Sequence, residues 1–366
     1  MYRKVFMLNK LTALLGLALV VGVYCAIGQE KAPDDTIKVE TKLVSVPTIV
    51  SDRNGRYIPN LTQADFTILQ DGAQQTIEFF AATEEPINVA LLIDTSQSTR
   101  PVLGDIKDSA RSFIKLLGPR DRAMIVSFDY DVHFLSPLTG DQEQLKQAIK
   151  RAEVPYDLGT TLRDAVFQTV NDSFKGLTGR KAIILLTDGK DYGSRIESGE
   201  LLYRLEESDT LIYTVFFKTD DRAQALFNRF PGGRRGGGIF GGGRRNGGIF
   251  SGGRRFPGGG QFPPGQIPNP RENRQQRRMD QENRSAQEFL QKLSDTTAGR
   301  LYSSKDGKLK KTFEMIVEEL RYQYRLGFYP PEDSGANTLH QLKVKVSRPD
   351  TVVRSRGSYR VQNKTN

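Results

Sequence analysis

Three short motifs carry oxygen ligands in a pattern that suits a hard metal ion. They are Asp94-Thr95-Ser96-Gln97-Ser98, Gly159-Thr160-Thr161-Leu162 and Thr187-Asp188-Gly189. Carboxylates and hydroxyls without His or Cys favour Mg²⁺, Mn²⁺ or Ca²⁺ over Zn²⁺. The alternation of acid and hydroxyl within the first motif lets three oxygens turn toward a single point. The residue types therefore predict a divalent-cation site, provided that the fold brings the motifs together.

The elements that would position these motifs can be identified from the hydrophobic pattern. Continuous apolar runs, typical of strands buried on both faces, lie at residues 88–93, 123–128, 182–187 and 211–217. Helical periodicity predicts helices at residues 105–117, 141–152, 162–174 and 198–207. This alternation predicts an α/β fold with a doubly wound, mostly parallel, Rossmann-like sheet. Ligands bind such sheets at the carboxyl ends of the strands, where the first and third motifs lie.

Each motif taken alone has an ordinary structural explanation. Thr160 could be only a helix N-cap, and Asp188 could simply begin a turn. Asp and Ser are also common in loops. The order of the three motifs and their places at strand ends favour one shared metal site over three unrelated turns.

The pattern Asp-x-Ser-x-Ser, then Thr, then Asp resembles the metal-ion-dependent adhesion site (MIDAS) of von Willebrand factor A domains. The resemblance covers residues 87–325 without the insert described below. It implies a module that is not an enzyme and that binds a protein partner through a divalent cation, with Mg²⁺ expected first. Carried over residue by residue, it gives the ligand positions Asp94, Ser96, Ser98, Thr160 and Asp188.

Two details of this resemblance concern the second motif. Aligning residues 162–165 with the usual helix start of the family selects Thr160 rather than Thr161 as the ligand. Many relatives have Gly where this chain has Leu158. That departure stiffens the loop without removing a ligand. In such a site, an Asp or Glu of the partner is expected to complete the coordination of the metal.

Residues on either side of the A domain predict a small accessory β domain. Alternating apolar residues and the turn signals Asn54-Gly55 and Asp71-Gly72 predict a β unit at 36–83. Within it, 66–69 and 76–79 are expected to form a hairpin. Strand patterns in residues 326–362 are expected to pair with this unit. The order of β unit, A domain (86–325) and terminal β segment is similar to that of secreted von Willebrand factor A-related proteins common in acidobacteria.

The first 28 residues have the pattern of a secretory signal peptide. A basic start is followed by an uncharged run from Leu11 to Gly28, with the small residues Ala26 and Gly28 before the expected cut. The protein is therefore expected to be exported, to the periplasm or the medium. Two alternatives stay open: lipidation at Cys25, and an uncleaved membrane anchor. Cleavage would leave a mature chain without cysteine.

The net charge of +10 is concentrated in one low-complexity insert. Gly-Gly-Arg-Arg recurs at residues 232, 242 and 252, and residues 231–284 hold eleven Arg against three acidic residues. Residues 231–283 are predicted to be disordered, because they offer few apolar side chains to offset the ordering entropy. A tolerated surface loop is the favoured interpretation. Binding of RNA or another polyanion is the alternative, although export argues against a nucleic-acid partner.

Enzyme classes that use similar residues find no support in the sequence. A phosphatase of the haloacid dehalogenase type needs a second Asp where this chain has Ser96. Neither His133 nor His340 accompanies a nucleophile-elbow pattern, and His133 is expected to be structural. The sequence has no Walker-type phosphate loop. We therefore expect a binding module rather than an enzyme.

Overall fold

The computed structural model describes residues 43–82, 85–219, 270–304, 309–331, 334–335 and 337–361. The predicted signal peptide (1–28) and the Gly/Arg repeats of residues 231–269 lie outside the described residues. Predictions that concern those segments stay predictions.

The described residues form fourteen strands and six α-helices. The strands are β1 (Val44–Asp52), β2 (Phe66–Gln70), β3 (Ala73–Gln75), β4 (Phe79–Ala81), β5 (Ile87–Asp94), β6 (Arg122–Phe128), β7 (Val132–Phe134), β8 (Arg180–Thr187), β9 (Leu211–Phe216), β10 (Arg300–Ser303), β11 (Tyr324–Phe328), β12 (Leu339–Val346), β13 (Thr351–Ser355) and β14 (Ser358–Arg360). The helices are α1 (Leu103–Ile114), α2 (Gln142–Arg151), α3 (Leu162–Gln168), α4 (Ser198–Glu207), α5 (Pro270–Thr296) and α6 (Leu309–Arg321). A π-helical turn, Thr169–Ser173, continues α3. No described helix is both long and apolar enough to cross a membrane.

A six-stranded sheet positions the three motifs. Its strand order is β10-β9-β8-β5-β6-β7, and every neighbouring pair is parallel except β6 and β7. Successive side chains of a strand point to opposite faces, so the apolar runs supply two cores. Leu91 packs in the core beneath α1, α2 and α6, whereas Leu92 packs in the core beneath α3, α4 and α5. The predicted doubly wound α/β fold is confirmed.

Two antiparallel four-stranded sheets form the accessory part. Their strand orders are β13-β1-β11-β4 and β14-β12-β2-β3, so each sheet combines strands from both ends of the described chain. Side chains from both sheets share one apolar core, to which Val46, Ile68 and Leu326 contribute.

The predicted hairpin of residues 66–69 and 76–79 is wrong in its second arm. Asp71 and Gly72 both have positive φ, at 49° and 88°, so the turn contains only two residues. Pairing resumes immediately, with Gln70 opposite Ala73, and β3 ends at Gln75. Phe79 instead begins β4, which pairs with β11 in the other sheet.

The predicted disordered segment of residues 231–283 is wrong at its carboxyl end. Helix α5 begins at Pro270 and includes 270–283. Proline is favoured at the first position of a helix because its missing N–H has no intrahelical partner there. The residues that follow are mostly Arg, Gln and Glu, which are good helix formers. A low apolar content therefore does not distinguish a disordered segment from a polar helix.

Candidate metal centre

The first and third motifs meet at the carboxyl edge of the six-stranded sheet. Asp94 is the last residue of β5, and Asp188 follows the last residue of β8. These strands are parallel neighbours, with Ile93 opposite Leu186. Both carboxylates are therefore brought to the same edge, and both are completely buried.

Hydrogen bonds hold the Asp94 carboxylate in place. Its Oδ1 accepts from the backbone N–H of Ser96 at 2.9 Å, and its Oδ2 accepts from the Thr187 hydroxyl at 2.6 Å. The hydroxyls of Ser96 and Ser98 lie 3.0 Å apart in the loop that follows. This loop closes on itself, because the Thr99 hydroxyl donates to the carbonyl oxygens of Asp94 and Ser96.

Asp188 has a different set of partners. Its Oδ1 accepts from the backbone N–H of Lys190 at 3.3 Å, and its Oδ2 accepts from the Thr219 hydroxyl at 2.9 Å. The Lys190 Nζ lies 3.4 Å from the same Oδ2, and the side chain of Lys190 is buried. Asp188 thus has a neighbouring cation, whereas the hydrogen bonds that hold the Asp94 carboxylate come from neutral groups.

The electrostatics of this pair favour a bound cation. Burial and the negative charge of Asp188 raise the pKa of Asp94 to about 7. Two carboxylates buried at one sheet edge repel each other unless a proton or a metal ion offsets their charge. The donor set of carboxylate and hydroxyl oxygens fits a hard divalent cation. In the described part of the chain, no cluster of three or more His, Cys, Asp or Glu could hold a metal, so such a site depends on the hydroxyls.

Thr160 lies in a loop that contacts the segment after Asp188. It is buried, and its carbonyl oxygen accepts from the Tyr192 N–H at 3.0 Å. The neighbouring Thr161 uses its hydroxyl to donate to the carbonyl oxygen of Asp129 at 3.0 Å. The loop contacts thus join Thr160 to the Asp188 segment through the backbone. The assignment of its hydroxyl as a metal ligand stays a prediction.

Asp129 is a residue of this region that the motifs did not indicate. It follows the end of β6, and its Oδ2 accepts from the Thr95 hydroxyl at 2.8 Å. Its carbonyl oxygen accepts from the N–H of Thr161 at 2.7 Å, and its Oδ1 lies 3.1 Å from His133 Nε2. Asp129 therefore connects the loops of the first and second motifs. An acidic residue at the carboxyl end of a predicted strand was the signal that could have identified it.

Sequence comparison finds a family match over the region that carries all three motifs. Residues 89–190 match the model of the von Willebrand factor type A domain family. The family match to residues 89–190 agrees with the resemblance that the motifs predicted. No curated protein matches the chain.

Solved structures include several that resemble parts of the chain. The conserved hypothetical protein BatB from Bacteroides thetaiotaomicron is 14% identical, with 64% of this chain and 97% of that chain covered and a TM-score of 0.41. The vWF domain of the type V pili tip protein Mfa5 from Porphyromonas gingivalis is 28% identical over 30% of this chain and 39% of that chain, with a TM-score of 0.27. Proximal thread matrix protein 1 from the mussel byssus, in a structure with a zinc-occupied MIDAS motif, is 14% identical over 68% and 48%, with a TM-score of 0.42. Less than half the length of the latter two chains is matched, and the low TM-scores establish no shared activity.

Proposed function

We propose that this protein is an exported, non-enzymatic binding module that captures a protein partner through a divalent cation, in adhesion or in assembly of the cell envelope. The residues that would hold the ion are Asp94, Ser96, Ser98, Thr160 and Asp188. When bound, the ion supplies a positive centre that attracts a carboxylate of the partner. The observation that supports this most strongly is the buried pair of Asp94 and Asp188 at one sheet edge.

The charges around the site favour an acidic ligand. A divalent ion would add two positive charges to the two negative charges of Asp94 and Asp188. Lys190 adds one more positive charge at 3.4 Å from Asp188. The buried carboxylate of Asp129, which accepts from Thr95, opposes that charge. The two aspartates would only partly neutralise the ion at its open coordination position, so the ion would attract an Asp or Glu side chain of the partner.

The identity of the ion and the cellular location are parts of the same proposal. Mg²⁺ is the expected ion, with Mn²⁺ and Ca²⁺ as alternatives, because oxygen ligands suit all three. Export is supported by the signal-like pattern of residues 1–28. The Arg-rich repeats of residues 231–269 could add a contact to a polyanion.

A binding assay with acidic peptides tests this function. Immobilised short peptides with a central Asp are compared with the same peptides carrying Asn, in millimolar Mg²⁺ or Mn²⁺ and in EDTA. We expect retention of the protein only on Asp peptides with metal, and loss of retention in Asp94→Ala. Equal retention on Asn peptides, or in EDTA, would contradict the proposed function.

A further inference from the structure

Four large apolar side chains are exposed on the loops around the candidate metal centre. Their exposed fractions are 100% for Tyr156, 82% for Leu158, 65% for Tyr192 and 47% for Tyr130. Among the described residues, the other exposed large apolar side chains are scattered over β7, the end of β11, β12 and β13. A local concentration of exposed apolar side chains marks an interaction surface, and Tyr is enriched at such surfaces. We call these four residues the apolar rim.

Tyr156 borders the loop of the first motif. The residue before it, Pro155, accepts a hydrogen bond through its carbonyl oxygen from the Gln97 side chain. Gln97 lies between Ser96 and Ser98. The fully exposed ring of Tyr156 is therefore attached to backbone that contacts the loop of the two serines.

The other three members of the rim surround the second motif. Leu158 precedes Gly159, and a Cβ placed on Gly159 would lie 2.9 Å from the Tyr130 Cα, so these two loops touch. The Tyr192 N–H donates to the carbonyl oxygen of Thr160 at 3.0 Å. These three residues thus come from three loops. Leu158 lies two residues before Thr160, Tyr192 contacts Thr160 itself, and Tyr130 contacts Gly159 beside it.

A cavity of about 500 Å³ opens beside Asp188 and adjoins the rim. It lies between the segment Gly189–Tyr192 and helix α5, and its apolar lining includes Ala286 and Phe289. Arg163 and Asp191, an ion pair at 3.1 Å, line its polar side. A pocket of this kind suits a large anchoring side chain of a bound polypeptide.

We propose that the apolar rim selects a separate protein whose acidic residue is flanked, within about two residues, by large apolar side chains. This inference rests on the proposed function, in which the acidic residue reaches the metal, and adds the chemistry of the flanking residues. The bound ion selects the acid, and the rim and cavity select its neighbours. Buried Tyr side chains at the centre of an interface commonly contribute a factor of about ten or more in affinity.

The chain's own undescribed segment is a poorer occupant. Residues 220–269 include two Ile-Phe pairs, at 239–240 and 249–250, and only two acidic residues, Asp220 and Asp221. Neither acid has a large apolar residue within two positions, so this segment does not offer the combination of acid and apolar neighbours that the rim would select. A separate acidic partner satisfies both features of the surface.

Peptide binding with variants of the rim tests the proposal. Two sets of immobilised peptides share a central Asp. One set has Phe, Leu and Tyr at the flanking positions, and the other has Ser and Gly there. With millimolar Mn²⁺, we expect the protein to bind the apolar-flanked peptides at least about tenfold more tightly. The double variant Tyr156→Ser with Tyr192→Ser should lose that preference. Its Mn²⁺-dependent rise in melting temperature should remain, which shows that the metal site is intact.

Tyr329→Ser is the matched control, because Tyr329 is 54% exposed at the end of β11, in the accessory part. It should keep the full preference. Equal affinity for both flank types, or no binding of any peptide by the metal-loaded protein, would overturn the selection by the rim. Metal-dependent dimers of the protein alone would point to a second copy as the occupant and also overturn it. Peptide binding that appears only after deletion of residues 222–269 would identify the chain's own segment as the occupant and overturn the proposal. Peptide binding that persists in EDTA would instead refute the proposed metal-dependent function.

Discussion

The two buried aspartates differ in how their charges are balanced. Asp188 has Lys190 within 3.4 Å and the Thr219 hydroxyl at 2.9 Å. Asp94 accepts its hydrogen bonds from the neutral groups of Ser96 and Thr187. Asp94 is therefore the carboxylate whose ionisation depends most on what else enters the site, and its pKa is raised to about 7.

The raised pKa of Asp94 predicts that metal affinity depends on pH. Its pKa rises from 3.8 to about 7, so the metal-free native state retains a proton that the unfolded chain releases. The stability of the metal-free protein should therefore fall as the pH rises from about 4 through about 7. A metal ion must displace this proton, so affinity for Mn²⁺ should be about tenfold weaker at about pH 6 than at about pH 8.

Calorimetric titration with Mn²⁺ at the two pH values measures this effect. His133→Gln is the control, because it removes the imidazole that contacts Asp129 near the site and leaves Asp94 in place. The variant should keep the dependence on pH. An affinity that is the same at both pH values would show that no proton is displaced.

At the scale of elements, helix α5 and strand β8 together shape the loop that carries Asp188. Gly189 has a φ of 76°, and a Cβ there would lie 2.9 Å from Leu290 Cδ1 and 3.1 Å from Ala286 Cβ. Both contacts come from α5. The loop can follow this path only because residue 189 has no side chain.

Gly189→Ala should destabilise the protein and weaken its metal binding. Overpacking and the positive φ together should lower the free energy of unfolding by about 1–3 kcal/mol. Displacement of the loop should also reduce the affinity for Mn²⁺. Urea unfolding and metal titration measure the two effects. Gly199→Ala, in α4, is the control, because a Cβ placed on Gly199 would have no other atom within 4 Å. This variant should be neutral or slightly more stable than the wild type. An unaffected Gly189→Ala variant would show that α5 does not restrict the loop.

The elements of the A domain could be predicted because their patterns are local. The run at residues 88–93 corresponds to β5, and the periodic residues of 198–207 coincide with α4. The start of α5 and the second arm of the β2–β3 hairpin could not be predicted in the same way. A polar helix surface has the composition of a disordered segment, and whether Phe79 joins one sheet or the other depends on its distant partner β11.

At the scale of the molecule, a buried polar cluster joins the accessory sheets to the A domain. Glu319 of α6 is completely buried and accepts from the Tyr213 hydroxyl of β9 at 2.7 Å. It also accepts from the Tyr57 hydroxyl at 3.1 Å and from the Arg354 guanidinium of β13. Burial raises the pKa of Glu319, and the Tyr213 bond opposes that rise. The cluster makes the two parts depend on each other for stability.

Glu319→Gln should therefore destabilise the whole described fold. Gln places an amide N–H₂ among groups that donate, and it leaves Arg354 without its buried counter-charge. We expect a loss of about 3 kcal/mol, measured by urea unfolding as a single shifted transition. Glu318→Gln, the exposed neighbour on α6, is the control and should change little. Two separate transitions in the wild-type protein would show that the parts unfold independently.

Long-range contacts of this kind explain why the sequence revealed only part of the site. Asp94 and Asp188 follow recognisable strands, so their motifs stand out. Glu319 and Tyr213 lie 106 residues apart, and Thr219 and Asp188 lie 31 residues apart, without any local pattern. Such partners emerge only when the topology of the sheet is known.

The most direct test of the central claim is thermal unfolding of the protein in EDTA and then in added Mg²⁺, Mn²⁺ or Ca²⁺. A ligand that binds only the native state raises the melting temperature by mass action, by an amount that grows with its concentration. We predict such a rise in melting temperature with at least one of these ions, and its loss in Asp94→Ala. The control variant Asp105→Ala, which removes an exposed acid from α1, should keep the rise. No rise at millimolar metal, or an equal rise in Asp94→Ala, would contradict a divalent-cation site at this edge of the sheet.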